Sequence, residues 1–128
     1  MNGPVPTEAP LLVACLCAAW CRTCADYRPT FDALRAEFGA QACFVWVDIE
    51  DDEAALGSVD VEDFPTLLLA RDTRAVFFGP VTPHVQTARQ LVQRALRDEL
   101  APVADLRIDG LPARVRALGA DRDSDLAA

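Results

Sequence analysis

Leu11-Leu12-Val13-Ala14-Cys15-Leu16-Cys17-Ala18-Ala19-Trp20-Cys21-Arg22-Thr23-Cys24 is the stretch from which both the architecture and the chemistry of this chain can be read. Its first seven residues are apolar without alternation, the pattern of a strand buried on both faces and therefore central in a sheet. Its last five place two thiols three positions apart where a helix-like segment begins. A thiol at the first turn of a helix faces unpaired backbone N–H groups and the positive end of the macrodipole, which favour thiolate over thiol. The thiolate is the nucleophile. Cys24, one turn later on the same face, can then attack a mixed disulfide formed at Cys21 and release the partner in its other redox state.

Working outward, Cys21 to Phe38 reads as a helix with Phe31, Leu34 and Phe38 on one face, Pro29 in its middle and Gly39 as its stop. Cys43 to Ile49 is β-branched and aromatic, a second strand. Asp51 to Ser58 is expected to be a short helix beginning with acids that suit its positive end. Asp63-Phe64-Pro65-Thr66-Leu67-Leu68-Leu69 introduces a strand by proline, and Arg71-Asp72-Thr73-Arg74 turns it into Ala75-Val76-Phe77-Phe78. Gly79-Pro80 ends that hairpin. Thr82-Pro83 is expected to cap a last long helix, whose apolar face is Val85, Ala88, Val92 and Ala95. The order βαβαββα implies an α/β domain with a parallel pair of strands extended by an antiparallel hairpin. From Pro102 the pattern weakens: Leu111, Val115 and Leu118 could line a short helix, whereas Asp121-Arg122-Asp123-Ser124-Asp125 looks solvated and mobile. The expected division is a domain over 1–101, with its core in 11–100, and a loosely attached extension over 102–128.

Composition narrows the possible functions. The chain has 128 residues, 52% of them hydrophobic, enough for one core and too few for two ordinary domains. A net charge of −8 argues against nucleic acid or an anionic membrane surface as a partner. Every cationic residue is Arg, and the absence of Lys removes Schiff-base and P-loop chemistry. No apolar run approaches the roughly 20 residues that cross a bilayer. Leu11 to Ala19 has the length of a signal-peptide core, but no positive charge precedes it, so the cytoplasm is the expected compartment. Structural disulfides are rare there, and an odd total of five cysteines also argues against a disulfide-stapled scaffold.

Taken together, Trp20-Cys21-Arg22-Thr23-Cys24, the mid-helix Pro29, the strand start Phe64-Pro65-Thr66 and Gly79 after the hairpin resemble the thioredoxin family in order and spacing, over roughly Leu11 to Leu100. The resemblance implies a three-layer sandwich, its mixed sheet having central parallel strands, a C-terminal antiparallel hairpin and helices on both faces. It implies a thiol-disulfide oxidoreductase that exchanges disulfides with protein substrates, needs no cofactor or metal, and is recharged by a reductase. By position, Cys21 resembles the attacking cysteine and Cys24 the resolving one. Pro65 resembles the family's cis-proline, which turns the backbone of Phe64 toward an extended substrate peptide, with Trp20 and Gly79 bordering the groove. The family fold has one more strand and helix at its N-terminus, so this domain looks shortened there. An exposed edge strand invites pairing, which leaves a monomer or a weak homodimer as the expected state.

Two departures from the family stand out. Arg22-Thr23 replaces the common Gly-Pro between the cysteines, and the fixed charge of Arg22 is expected to favour the Cys21 thiolate. Cys15 stands where the family usually has a buried Asp that moves the proton of the resolving cysteine, and Trp46 aligns with that Asp's Lys partner. Replacing a buried ion pair by apolar groups can be neutral for stability. It leaves Cys24 without an evident base unless water or a carboxylate such as Asp26 serves. Cys15, Cys17 and Cys43 otherwise read as small buried hydrophobes. Two rival functions remain: a non-catalytic binding module using the same groove, and a Cys15/Cys17/Cys21/Cys24 site for zinc or an iron-sulfur cluster. His84 is expected on a solvent-facing first helical turn. Glu50-Asp51-Asp52-Glu53 lacks the alternating ligands of a calcium loop.

Overall fold

The computed structural model describes residues 10–57 and 59–127. Its elements run β1 (Leu11–Cys17), α1 (Arg22–Phe38), β2 (Ala42–Asp48), α2 (Glu53–Leu56), β3 (Thr66–Arg71), β4 (Arg74–Pro80), α3 (Val85–Leu96), a 3₁₀ turn (Leu106–Ile108) and α4 (Leu111–Ala127). Four strands form one sheet in the order β2-β1-β3-β4. β1 runs parallel to β2 and antiparallel to β3, and β3 and β4 form the hairpin. The expected βαβαββα order is therefore present, in a three-layer α/β sandwich.

β1 lies inside the sheet, and its seven residues are all at most 1% exposed. Side chains alternate along a strand, so β1 divides its residues between two cores. Leu11, Val13, Cys15 and Cys17 pack against Tyr27, Phe31 and Leu34 of α1 and Ala88, Val92 and Ala95 of α3. Leu12, Ala14 and Leu16 pack on the opposite face with Leu56, Ile108, Leu111 and Val115. Burying a Leu or Phe stabilises by about 1.5–3 kcal/mol, so both faces hold this strand in place.

The local stops have identifiable causes. Gly39 follows α1, and a Cβ there would sit 2.5 Å from the Arg35 carbonyl oxygen, so only glycine fits. After β2, the Asp48 carboxylate accepts from the N–H groups of Glu50 and Asp51, and the Asp52 carboxylate accepts from the Asp48 N–H. That turn engages much of the acidic run. α3 starts later than its Thr82-Pro83 signal predicts. His84, extended at φ −86° and ψ 132°, is the N-cap, while the Thr82 and Thr87 hydroxyls bond to each other at 2.8 Å.

The weak pattern after Pro102 predicts a loose extension, and here the structure differs. Val103 N–H donates to the Ala75 carbonyl at 2.8 Å, laying the segment along β4. α4 then buries Leu111 and Val115 completely in the second core, beside α2 and β2. Two arginines on this helix bond to backbone carbonyls elsewhere in the chain. Arg114 donates to the carbonyls of Ala55 and Leu56 at 2.7 and 3.2 Å. Arg116 donates to those of Asp72 and Pro10 at 2.8 and 3.1 Å. Such residues read as polar in the sequence, yet they fasten the helix to the domain.

Candidate functional site

Four of the five cysteines, Cys15, Cys17, Cys21 and Cys24, collect where the C-terminal end of β1 meets the N-terminal end of α1. Ala18 accepts from the Cys21 N–H at 3.1 Å, which closes the turn between the two elements. Cys21 is the N-cap of α1, in extended conformation at φ −86° and ψ 119°, and its carbonyl accepts the first helical bond from Ala25. Because the N-cap residue is not yet helical, Cys21 and Cys24 are not equivalent positions on one helical face. Cys21 is half-buried and carries a free thiol, whereas Cys24 is buried at 1% exposure.

Cys24 is bonded to Cys17, not to Cys21. Their Cα atoms are 5.7 Å apart, inside the range that a disulfide spans. The reading of Cys17 as a plain apolar filler is thus corrected. It is buried at 1% exposure, but the alternation of β1 directs it to the face covered by α1, where Cys24 points inward. The Cys15 sulfur lies 3.7 Å from that of Cys17. A disulfide sulfur carries no hydrogen, so Cys15 is the donor. Burial pushes the Cys15 thiol up to about 12, with the charge of Arg28 opposing the rise. Cys43, by contrast, belongs to the other face of the sheet.

Beneath the site, Cys15 and Trp46 are register partners on the parallel strands β1 and β2. The Trp46 ring packs edge-on against Phe31 at 5.6 Å, and the Arg28 guanidinium lies 4.7 Å above it. This is a cation–π arrangement where the resemblance expects an ion pair. Tyr27, buried next in α1, has a hydroxyl with no hydrogen-bond partner among the described residues. Its phenol is pushed up by burial and by Cys15.

The other sequence-marked residues fall on two sides of this cluster. The Phe64–Pro65 peptide bond is cis. The Trp20 and Phe64 rings meet edge to face at 5.6 Å, with Trp20 68% exposed. Phe64 and Cys21 both rest on the core that holds the disulfide. Gly79 is not a turn residue: it lies within β4, paired with Leu67, while the Pro65 carbonyl accepts from Val81 at 3.1 Å. It lines a cleft of about 400 Å³ together with Thr66, Phe78 and Pro80, apart from Trp20 and Cys21. Arg22 and Asp26 are exposed on α1, and His84 is exposed at the start of α3. Among the described residues, no group of three or more His, Cys, Asp or Glu side chains could hold a metal ion. Nor is any described helix long and apolar enough to cross a membrane.

A half-exposed thiol, a buried disulfide one helical turn away and an aromatic pair at the rim make a site able to exchange disulfides. Comparisons with known proteins agree in fold and in the region covered. The thioredoxin of Haemophilus influenzae is 31% identical over 72 residues, which span 56% of this chain and 66% of that protein. The thioredoxin of Bacillus subtilis is 29% identical over 70 residues, 55% of this chain and 67% of its own length. Among solved structures, Fasciola hepatica thioredoxin superposes with a TM-score of 0.61 at 25% identity, covering 69% of this chain and 83% of that one. The thioredoxin family model matches residues 4–93, which contain the whole sheet, all five cysteines and the cis-proline, and the chain belongs to the thioredoxin family.

Proposed function

We propose that this protein is a thiol-disulfide oxidoreductase acting on protein substrates, with Cys21 as the attacking thiol and Cys24 as the resolving one. The observation that carries the reading is the contrast between the two. Cys21 is a half-buried free thiol at the helix start, and Cys24 is buried a turn further on and already in a disulfide. In the reducing direction, starting from the fully reduced protein with the Cys17–Cys24 bond opened by an external dithiol, the Cys21 thiolate attacks one sulfur of a substrate disulfide and expels the other as a thiolate. Cys24 then attacks the Cys21 sulfur, and the second substrate thiolate leaves. The substrate gains two electrons and the protein loses them. An external dithiol or a reductase returns them by the reverse exchange.

Trp20 and Phe64 form the apolar wall against which an extended substrate peptide docks, and the backbone beside Pro65 supplies its strand-like hydrogen bonds. Gly79, in β4 across from Leu67, lines a separate cleft with Thr66, Phe78 and Pro80. Arg22 adds the one fixed positive charge between the cysteines. A reducing compartment such as the cytoplasm suits a protein whose reactive thiol must be regenerated.

The test is insulin reduction in the presence of dithiothreitol. The wild-type protein is expected to accelerate insulin precipitation, and Cys21→Ser and Cys24→Ser to remove the acceleration. Equal rates for wild type and Cys21→Ser would instead mark the chain as a non-catalytic binding module.

A further inference from the structure

Two-cysteine exchange leaves Cys17 unused, yet Cys17 is the residue that holds Cys24 in the structure. We propose that Cys21, Cys24 and Cys17 form a three-cysteine relay in which Cys17 is the final acceptor, so that oxidation ends in a buried Cys17–Cys24 disulfide with Cys21 returned to the surface as a thiol. The proposal rests on the exchange reading for its first two steps and extends it by one.

Access and connectivity single out these three cysteines. Cys17 and Cys24 are each 1% exposed, so an external disulfide or oxidant cannot reach either sulfur directly. Cys21 is half-buried, one turn from Cys24 and held at the N-cap by the Ala18 carbonyl. It is the one member of the trio open to solvent. Cys24 therefore links the two: it follows the accessible Cys21 by three positions and is bonded to the buried Cys17.

The additional step balances without a further reactant. Once Cys24 has resolved the mixed disulfide, a Cys21–Cys24 disulfide exists. The Cys17 thiolate attacks the Cys24 sulfur, forming the Cys17–Cys24 bond and breaking the Cys21–Cys24 bond. The electron pair of the broken bond stays on Cys21, and the proton that Cys17 gave up is taken by Cys21 through solvent. No electrons are gained or lost in this step, which moves the disulfide inward. Reduction runs the same path backwards: Cys21 attacks Cys24, Cys17 leaves as thiolate, and an external dithiol then attacks the Cys21 sulfur. Cys15, 3.7 Å from the Cys17 sulfur, donates its S–H to that sulfur and remains a thiol throughout.

The relay predicts an oxidised protein that still presents a nucleophile, unlike one oxidised across Cys21 and Cys24. The wild-type chain is oxidised with excess oxidised glutathione, alkylated, and digested with chymotrypsin and trypsin. Cleavage after Trp20 and Arg22 separates Cys17, Cys21 and Cys24. The expected result is alkylated Cys21 and a peptide pair joined through Cys17 and Cys24. A major Cys21–Cys24 pair, with Cys17 labelled only after denaturation, would overturn the relay while leaving the exchange reading intact. A kinetic arm uses Cys21→Ser, in which glutathione-driven formation of the Cys17–Cys24 bond should slow at least tenfold. Formation at the wild-type rate would overturn the relay by showing that the inner bond forms without Cys21. In Cys17→Ala the disulfide should shift to Cys21–Cys24 and protect Cys21 from alkylation at least tenfold, and a Cys21 that stays fully reactive counts against the relay. Insulin reduction that does not depend on Cys21 sinks the exchange reading itself, and it is scored separately from the peptide map.

Discussion

Cys15 and Trp46 stand side by side on the parallel strands β1 and β2, directly under the helix that carries Cys24. Neither brings a charge into the core. Their neighbourhood is instead organised by rings: Phe31 contacts both Phe44 and Trp46, at 5.5 and 5.6 Å, and Arg28 caps the Trp46 face from outside. The apolar character of this layer has a measurable consequence in the titration of Cys15.

Stability should fall at alkaline pH through Cys15. Its thiol ionises near 9 in the unfolded chain and near 12 when folded, because burial disfavours the thiolate. A folded pKa raised above the unfolded one contributes stability that is complete below the unfolded value. That stability is lost as pH rises through the folded value. Between pH 9 and 11 the slope from one such group approaches about 1.4 kcal/mol per unit. Tyr27, also pushed up by burial, adds in the same direction at higher pH. Urea midpoints measured across this range should drop less steeply for Cys15→Ala than for wild type. Parallel curves would show that Cys15 is not the group titrating.

The sequence carried most of the fold because its strands are apolar runs, Gly39 stops α1 and Pro65 introduces β3. It did not carry the partner of Cys24. A strand that is apolar on both faces has no polar alternation to mark which residues face α1, so Cys17 and Leu16 are equivalent until the helix is docked. α4 was legible in part, since Leu111, Val115 and Leu118 mark its apolar face, but its fastening to the domain was not. The long-range bonds of Arg114 and Arg116 to backbone carbonyls become visible only in three dimensions. Trp20 and Phe64, separated by 44 positions, are brought together only by the docking of the β1–α1 turn beside β3.

Arg114 should be a main fastening of α4. It donates to two carbonyls of the four-residue helix α2, which cannot satisfy its own end. Hydrogen bonds from a charged donor contribute about 1.5–3 kcal/mol, so Arg114→Ala should lower the denaturation free energy by that order. Arg114→Lys should recover only part of the loss, since a single ammonium cannot reproduce the planar fork. Gly110 is coupled to the same side chain. Its φ is +80°, and a Cβ there would lie 2.8 Å from Arg114 Nη1. Gly110→Ala should therefore destabilise, and less so in an Arg114→Ala background, a non-additivity that a double-mutant cycle by chemical denaturation reads directly.

Trp20→Ala separates substrate docking from folding. The ring is 68% exposed and touches Phe64 edge to face, a contact contributing about 0.5–1.5 kcal/mol. The thermal midpoint should shift by only a few degrees. If the proposed groove is correct, KM for a protein disulfide should rise roughly fivefold, equivalent to about 1 kcal/mol. The rate with a small disulfide such as oxidised glutathione should hardly change. Equal losses for both substrates would mean that Trp20 positions the cysteines instead of the peptide.

Tyr27→Phe tests whether the core beside Cys15 is as dry as its geometry implies. The Tyr27 side chain is 1% exposed and its hydroxyl has no partner among the described residues. A buried hydroxyl that makes no hydrogen bond costs about 1–3 kcal/mol, whereas the ring itself is retained by Phe. Tyr27→Phe should therefore leave stability unchanged or raise it, with the denaturant midpoint moving upward and the slope unaltered. The variant should also titrate less steeply above pH 10, because the phenol's share of the alkaline loss disappears. A fall of more than about 1 kcal/mol would instead mean that the hydroxyl is satisfied in solution. A polar group would then sit among Tyr27, Cys15 and the Cys17–Cys24 disulfide, and the proton needs of the inner cysteines could be met there.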